Sequence, residues 1–186
     1  MIKDNIYSER SIHHWPHLDV NGEKVLDLGC GRHWTPSIYD SSTVFFGQNG
    51  AIKVVSVDAS QDEINFFNAN NPDINKYTFI CAFVDSSFFI KNLIDQHQIT
   101  VIKCDIEGYE KHLCELSKDD MINIKRIGIE YHSPQLLQLV KDSLNKWGFT
   151  ITVQSKFTRK DEPEYLQFGS VDVDENNMGV LFAVKL

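Results

Sequence analysis

Cysteine is scarce in this chain, and its spacing excludes two common kinds of cysteine site. The four cysteines are Cys30, Cys81, Cys104 and Cys114, and no two of them form a Cys-x-x-Cys pair. Neither a zinc ribbon nor a redox dithiol is therefore indicated, and a disulfide framework is not expected in a domain of this size. Cys81 and Cys104 lie within apolar runs, so we expect both to be core residues. This use of cysteine predicts a reducing, cytoplasmic compartment.

Long apolar stretches and an excess of positive charge are also missing. No run approaches the roughly 20 apolar residues that a membrane-spanning helix needs, and residues 1–5 are too polar for a secretion signal. The 26 acidic residues outnumber the 18 lysines and arginines, which gives a net charge of −8. A nucleic-acid partner is therefore not expected, and neither is a membrane. We expect a small-molecule or carbohydrate substrate, and no pattern predicts the oligomeric state.

The apolar segments alternate between strand-like and helix-like patterns. Five strand–helix pairs are followed by two closing strands, which predicts an α/β fold with a parallel sheet and helices on both faces. The predicted strands are 24–28, 53–57, 77–84, 100–104, 126–130, 149–157 and 179–185. The predicted helices are 36–46, 60–70, 87–96, 109–116 and 134–147.

We predict one domain over residues 23–186, preceded by an N-terminal arm or lid over residues 1–22. The arm is polar and rich in histidine, and it contains Trp15. A lid that faces the substrate through Trp15 and these histidines is favoured over a metal site, because no acid or cysteine completes a ligand set. Residues 158–178 are predicted to form a solvated connection.

A glycine turn closes the first predicted strand, in the segment Asp27-Leu28-Gly29-Cys30-Gly31. Glycines allow a tight turn and a close approach of a ligand to the main chain. The third glycine of a dinucleotide site is replaced by Trp34, which disfavours NAD. Asp58 follows the second strand, where an acid can accept hydrogen bonds from ribose hydroxyls. S-adenosylmethionine needs both features without a pyrophosphate cradle, so it is the predicted cofactor.

Acidic residues and a histidine follow the fourth and fifth predicted strands. They are Asp105, Glu107, Glu130 and His132, and we predict that they are catalytic because ligands bind at strand ends in α/β sheets. His132 is the most natural general base, since it titrates near neutral pH, and Glu107 or Glu130 could orient it. In an alternative, these groups hold Mg²⁺ or Mn²⁺, which polarises an acceptor hydroxyl. Glu110 is interpreted as a helix cap only.

Three segments resemble those of known methyltransferases. Residues 25–31, Val-Leu-Asp-Leu-Gly-Cys-Gly, resemble motif I of the class I S-adenosylmethionine-dependent methyltransferases, and residues 56–60 resemble their second motif. Residues 103–110, Lys-Cys-Asp-Ile-Glu-Gly-Tyr-Glu, are similar to the KxDxEGxE signature of the FkbM-type family. Glu130-Tyr131-His132 resembles that family's E-x-H element. The resemblance covers roughly residues 23–133.

This resemblance implies a Rossmann-like, three-layer sandwich with a seven-stranded sheet in the order 3-2-1-4-5-7-6. The last strand would be antiparallel, and the reaction would be O-methylation of a small molecule or sugar. Asp27 would help to anchor the amino group of the cofactor, and Asp105 would lie close to the sulfonium and the methyl group. The remaining cofactor residues would be Gly29, Cys30 and Gly31 at the methionine part, Asp58 with Ala59 at the ribose, and Ala82 with Phe83 at the adenine.

Two other functions stay open. An N-methyltransferase acting on a nucleobase or peptide is disfavoured, because the Asn/Asp-Pro-Pro-aromatic element of nucleobase enzymes is replaced by Asp105-Ile106-Glu107-Gly108. A non-catalytic module that only binds the cofactor is the other alternative.

Overall fold

The computed structural model describes residues 15–31, 41–70, 73–157 and 178–186. Its described strands form one sheet in the order β3-β2-β1-β4-β5-β7-β6. The first five are parallel, and β7 is antiparallel to both β5 and β6, which confirms the predicted fold class and strand order. The strands are β1 (Lys24–Leu28), β2 (Lys53–Asp58), β3 (Tyr77–Cys81), β4 (Val101–Cys104), β5 (Arg126–Tyr131), β6 (Phe149–Phe157) and β7 (Met178–Lys185).

Five α-helices lie between the strands in the described ranges: α1 (Ser42–Gln48), α2 (Gln61–Asn70), α3 (Ser87–His97), α4 (Lys111–Cys114) and α5 (Pro134–Trp147). Serine hydroxyls begin several of them by accepting a main-chain N–H three residues further on. Ser60 does so for α2 as predicted, and Ser133 does so for α5, which ends at Gly148 in the left-handed conformation. Each described helix is too short or too polar to cross a membrane.

Several predicted boundaries differ from the observed ones. The helix predicted over 36–46 is observed from Ser42 to Gln48, and residues 36–40 lie outside the described ranges. The strand predicted to reach residue 84 ends at Cys81. The helix predicted over 109–116 is only one turn long, because residues 105–110 form an irregular turn instead.

Alternating side chains of each strand enter two different cores. Leu26 and Leu28 of β1 pack with α3 and α5 on one face of the sheet. Val25 points to the other face, where Phe46 of α1 and Trp15 cover the sheet. These two apolar layers enclose the sheet between helices and explain the three-layer sandwich.

Trp15 belongs to this second core. It begins a short 3-10 helix, Trp15–His17, and it is buried with its ring centroid 5.9 Å from Phe182 and 6.5 Å from Phe46. The prediction that Trp15 faces the substrate as part of a lid is therefore wrong. Residues 1–14 and 158–177 lie outside the described ranges, so the division of the chain at residue 22 and the connection after residue 157 stay predictions.

The two cysteines predicted to be core residues differ in their surroundings. Cys104 is buried, as predicted, whereas Cys81 is exposed at the end of β3. The prediction for Cys81 is wrong because β3 lies at the edge of the sheet, where only part of each strand is covered. All four cysteines are free thiols.

Gly29 and Gly22 offer a matched pair of substitutions. Their φ angles are +76° and +74°, but a Cβ on Gly29 would overlap the Asp105 carbonyl oxygen, whereas no described atom lies within 4 Å of a Cβ on Gly22. We expect Gly22→Ala to cost about 1–2 kcal/mol through backbone strain alone, and Gly29→Ala about 1–3 kcal/mol more. Urea unfolding measures both, and equal losses would contradict the close contact between β1 and β4.

Candidate active site

The predicted site residues lie at one edge of the sheet. β1 pairs in parallel with both β2 and β4, and β5 pairs in parallel with β4, so the carboxyl ends of these four strands are neighbours. Asp58, Asp105 and His132 lie at or directly after three of these ends, and the glycine bend, Gly29–Gly31, follows the fourth. In open α/β sheets, this edge is where ligands bind.

The glycine bend is held beside Asp58. The N–H groups of Gly29 and Cys30 donate to the Val57 carbonyl oxygen at 2.9 and 3.2 Å. A Cβ on Gly31 would come within 3.2 Å of Asp58 Oδ2, so a side chain there would intrude on this carboxylate. Asp58 Oδ1 accepts a hydrogen bond from the Ser60 N–H at 2.8 Å, and burial raises the pKa of Asp58. A partly exposed carboxylate beside a glycine bend can accept hydrogen bonds from the hydroxyls of a nucleoside ribose.

Cys30 contributes only its main chain to this bend. Its side chain is fully buried against Ile64 and Phe67 of α2, and burial raises the pKa of the thiol well above its ordinary value. The predicted contact of Cys30 with a cofactor is therefore restricted to backbone atoms.

The other predicted cofactor residues follow β2 and β3. Ala59 is exposed, and the Ala82 N–H donates to the Asp58 carbonyl oxygen at 3.0 Å. Phe83 is 48% exposed and packs edge-on against Tyr109, with 4.6 Å between ring centroids. Ala82 and Phe83 thus offer an apolar surface close to Asp58. Such a surface suits the planar ring of a nucleobase.

A buried lysine fastens the glycine bend to β4. Lys103 Nζ donates to the carbonyl oxygens of Leu28, at 3.2 Å, and of Gly29. It also lies 3.1 Å from Asp27 Oδ1 and 3.6 Å from Asp105 Oδ2. Burial lowers the pKa of Lys103, but the two carboxylates outweigh burial and raise it above the ordinary lysine value. Lys103 is therefore protonated at any ordinary pH, and it lies beneath the site. Its role in holding the glycine bend was not predicted from the sequence.

Asp27 is fully enclosed beneath the bend. Its Oδ2 accepts hydrogen bonds from the hydroxyls of Ser42 and Thr43, both at 2.7 Å, and its Oδ1 faces Lys103. Asp27 thus joins the start of α1 to β1 and to Lys103. Its predicted help in anchoring the amino group of a cofactor stays a prediction.

His132 lies at the centre of four carboxylates. The side chain is fully buried, and its Nδ1 lies 2.9 Å from Glu110 Oε1. Its Nε2 lies 3.3 Å from Glu107 Oε2 and 3.7 Å from both Asp105 Oδ1 and Glu130 Oε1. The structure thus brings together all four residues that were predicted to be catalytic, and Asp105, Glu107 and His132 are close enough to hold a metal ion.

Glu110 folds back toward His132 through a left-handed turn. Glu107 and Gly108 have φ angles of +52° and +93°, and Glu110 Oε1 accepts hydrogen bonds from the N–H groups of Ile106 at 3.0 Å and Gly108 at 3.3 Å. Glu110 is fully buried, and its side chain makes no capping hydrogen bond to α4. The interpretation of Glu110 as a helix cap only is therefore wrong, since it orients His132.

The protonation of His132 also differs from the prediction. Burial lowers its pKa, but the neighbouring carboxylates of Glu110, Glu107 and Glu130 outweigh burial and raise the pKa of His132 to about 10. At neutral pH the metal-free protein therefore holds an imidazolium, which has no lone pair to accept a proton. The prediction that His132 acts as the general base near neutral pH stays a prediction, and it requires the ring to lose this proton first. Glu107, with 45% of its side chain exposed, is better placed to meet a substrate.

Solved structures similar to this chain include several methyltransferases. An S-adenosylmethionine-dependent methyltransferase from Mesorhizobium loti aligns over 92% of this chain and 97% of its own, with a TM-score of 0.58 and 16% identity. An S-adenosylmethionine-dependent O-methyltransferase from Thermotoga maritima aligns over 99% and 67%, with a TM-score of 0.58 and 18% identity. A protein from Streptococcus pneumoniae assigned as a tRNA (m1A22) methyltransferase, in complex with S-adenosyl-L-methionine, aligns over 100% and 73%, with a TM-score of 0.59 and 12% identity.

The strand order and these similarities define a Rossmann-like fold, which this chain shares with these methyltransferases. The chain matches no protein-family model and no curated protein. Structural likeness at identities of 18% and below shows the fold, and the FkbM-type resemblance stays a prediction.

Proposed function

We propose that this chain is an S-adenosylmethionine-dependent methyltransferase that methylates a hydroxyl group of a small molecule or carbohydrate. The observation that carries the proposal is the placement of the glycine bend and Asp58 at the same sheet edge as the acidic turn and His132. The DxEGxE match makes the FkbM type the finer form of this proposal. A cytoplasmic location is part of the same proposal.

The bend and the ends of β2 and β3 would hold the cofactor. The main chain of Gly29–Gly31 would face its methionine part, and Asp58 would accept hydrogen bonds from the ribose hydroxyls. Phe83 and Ala82 would lie against the adenine. When bound, the cofactor supplies a methyl group that its sulfonium makes electrophilic.

The acidic turn would orient the acceptor. Good alignment of two bound reactants lowers a barrier by about 7–11 kcal/mol. A hydroxyl must also lose its proton, and a positioned base contributes roughly 10²–10⁴-fold. Glu107 replaces His132 as the proposed base, because its carboxylate is partly exposed and lies 3.3 Å from the imidazole that positions it.

Binding of S-adenosylhomocysteine tests the cofactor assignment. The wild type should bind it in isothermal titration, whereas NAD should give no heat. Asp58→Ala removes charge-assisted hydrogen bonds of about 1.5–3 kcal/mol, so we expect roughly 10–100-fold weaker binding. Asp62→Ala is the matched control, since Asp62 is an exposed acid on the neighbouring α2 and should leave the affinity unchanged. Binding of NAD, or equal affinities in both variants, would contradict the assignment.

Transfer of a labelled methyl group tests the acceptor class. The expected acceptors are hydroxyl compounds such as simple sugars and polyols. Transfer to tRNA or to free nucleobases instead would replace the O-methyltransferase with the N-methyltransferase alternative. Cofactor binding without transfer to any of these classes would favour a module that only binds the cofactor.

A further inference from the structure

We infer that the edge of the sheet opposite the candidate site is a docking surface for an anionic lipid bilayer. The amino ends of the parallel strands and the end of β7 form this edge. We name it the basic edge after its cations, which are Lys24, Lys53, Lys76, Lys125, Arg126 and Lys185. Such a surface is independent of the proposed methyltransferase function.

The strand register places these cations at one level. Lys24 of β1 pairs directly with Lys53 of β2, and Lys76 comes immediately before β3, the next strand of the sheet. Toward the other end of the sheet, the Lys185 N–H donates to the Lys125 carbonyl oxygen at 2.8 Å. Neighbouring strands lie about 4.8 Å apart, so the cations from β3 to β7 form a row about 24 Å long.

Acids balance only part of this row. With Lys118, seven cations lie at or near the edge, beside four acids: Asp19, Glu23, Asp73 and Asp119. Glu23 pairs with both Lys125 and Arg126, and Asp19 pairs with Arg126. The basic edge is therefore positive, although the chain as a whole carries a net charge of −8.

Four lysines of the basic edge contact neutral oxygens. Within the described ranges, their ammonium groups donate to the Gln98 side chain or to main-chain carbonyl groups and form no ion pair: Lys24, Lys53, Lys76 and Lys185. Like charges that lie directly opposite in adjacent strands are destabilising, and Lys24 and Lys53 are such a pair. An anionic partner at this edge would offset the repulsion.

Two pKa shifts show that positive charge is crowded along the row. Burial and the nearby Lys53 lower the pKa of His97, at the end of α3. Burial and the nearby Lys118 lower the pKa of Lys185, at the end of β7. In both places a neighbouring cation disfavours the protonated form.

Three exposed isoleucines lie among these cations. Ile52 directly precedes Lys53, and Ile74 and Ile122 lie in the turns before β3 and β5; their side chains are 58%, 81% and 61% exposed. Lys53 Nζ donates to a carbonyl oxygen of the first turn at 3.4 Å, and Lys185 Nζ donates to the Ile122 carbonyl oxygen at 3.3 Å. Each isoleucine therefore lies close to an ammonium group.

A lipid bilayer accounts for both the cations and the isoleucines. Lysines contact the phosphates of anionic lipids, and protruding aliphatic side chains enter between the headgroups. A nucleic acid would use the cations, but its bases are bound by aromatic rings and hydrogen-bonding groups rather than by exposed isoleucines. The cytoplasmic leaflet of a membrane is anionic, and each lysine close to it strengthens binding about fivefold.

The acidic remainder of the chain does not prevent this contact. The acids of the candidate site lie at the other end of β1 and β2, which have five and six residues. At about 3.3 Å per residue, the two edges are roughly 15–20 Å apart. This separation exceeds the Debye length of about 8 Å at physiological salt, so repulsion between these acids and the membrane is largely screened. The candidate site would face away from the bilayer.

Net charge and the lack of long apolar runs predicted no membrane partner. Neither measure detects a surface whose side chains come from separate segments and are gathered by folding. The cations and isoleucines of the basic edge precede different strands, and the strand order alone brings them together.

Sedimentation with lipid vesicles tests the electrostatic part of this surface. The wild type should sediment with vesicles of equal parts phosphatidylglycerol and phosphatidylcholine, but not with phosphatidylcholine alone, and high salt should release it. Lys24→Gln combined with Lys53→Gln should weaken binding roughly 30-fold, since two lysines are lost. Lys91→Gln combined with Lys141→Gln is the matched control, because it removes the same charge from the middle of α3 and α5 and should bind like the wild type.

A second pair of variants tests the isoleucines. Ile52→Ser combined with Ile74→Ser should weaken vesicle binding roughly tenfold or more, because two aliphatic side chains no longer enter the headgroup region. Leu139→Ser is the control, since Leu139 is an exposed apolar residue of α5 and should leave binding unchanged. Thermal unfolding confirms that each variant is folded.

Several outcomes would overturn the lipid surface. The wild type could fail to bind the anionic vesicles, bind neutral vesicles equally well, or bind no more tightly than the Lys24/Lys53 variant. Double-stranded RNA serves as the competing probe. Tighter binding to this RNA than to the vesicles, with no effect of the isoleucine substitutions, would make the basic edge a nucleic-acid site instead.

Discussion

Replacing Lys103 with methionine is expected to lower the free energy of unfolding by about 3–5 kcal/mol, because the substitution leaves a buried carboxylate without its cation. Lys103 Nζ lies 3.1 Å from Asp27 Oδ1, and both side chains are almost completely buried. Methionine matches the length of the aliphatic part of the lysine side chain, so the loss of stability measures mainly the effect of removing the positive charge. The variant should also bind S-adenosylhomocysteine more weakly, since Lys103 holds the carbonyl groups of Leu28 and Gly29 at the bend.

A double-mutant cycle identifies the cause of this loss. Asp27→Asn removes the charge that Lys103→Met leaves behind, so the double variant should be more stable than the sum of the two single losses predicts. Lys91→Met is the control, because Lys91 forms surface ion pairs with Asp95 and Asp120, and exposed ion pairs contribute little to stability. Additive losses at Lys103 and Asp27 would show that the two residues do not act as a pair.

The pairing of Lys103 with Asp27 could have been predicted from the sequence. Lys103 is the single charge in its apolar strand, Asp27 is the single acid in the first strand, and the order implied by the resemblance places the first strand beside the fourth. The observed register pairs Asp27 directly with Lys103. Two opposite charges in adjacent buried strands must meet or be left unpaired, and the second arrangement is very costly. The interpretation of the sequence did not use this constraint, and it therefore assigned no partner to Lys103.

The convergence of acids at His132 was predictable, but their individual roles were not. Parallel strands bring their carboxyl ends together, so Asp105, Glu107 and Glu130 were expected near His132. Which carboxylate reaches Nδ1 depends on the left-handed turn at Glu107 and Gly108, which returns Glu110 to the histidine. A regular helix from Tyr109 would have directed Glu110 elsewhere.

The burial of Trp15 is a second feature that the sequence did not predict. Its neighbours before residue 15 are polar, and this composition indicated an exposed arm. Leu18 and Val20 are nevertheless buried beside Trp15, because the sheet face formed by Val25, Val101 and Phe182 needs a cover that α1 alone does not provide. The need to cover this face could be recognised only after the sheet had been assembled.

We expect the metal-free protein to lose stability between pH 7 and pH 10 because of His132. The folded-state pKa of about 10 lies above the ordinary value of 6.5. The stabilisation is therefore complete below about pH 6.5 and is lost as the pH rises through about 10. Each unit of difference between the folded and unfolded pKa is about 1.4 kcal/mol, so a loss of a few kcal/mol should be measurable. Urea unfolding in the presence of a chelator follows this loss.

Glu110→Gln is the substitution that shows whether Glu110 causes this pH dependence. Without this carboxylate the pKa of His132 should fall, so the variant should be less stable at pH 7 and should lose less stability on going to pH 10. Glu110 is not among the groups that shift the pKa of Cys30, so the contribution of this thiol cancels in the difference. Glu110 does raise the pKa of Cys104 and of Cys114, so both cysteines are replaced by alanine in every variant compared. Glu115→Gln, at the other end of the same short helix, should retain the wild-type profile. If Glu110→Gln and the wild type lost equal stability, His132 would owe its charge to the other carboxylates, and Glu110 would only shape the turn.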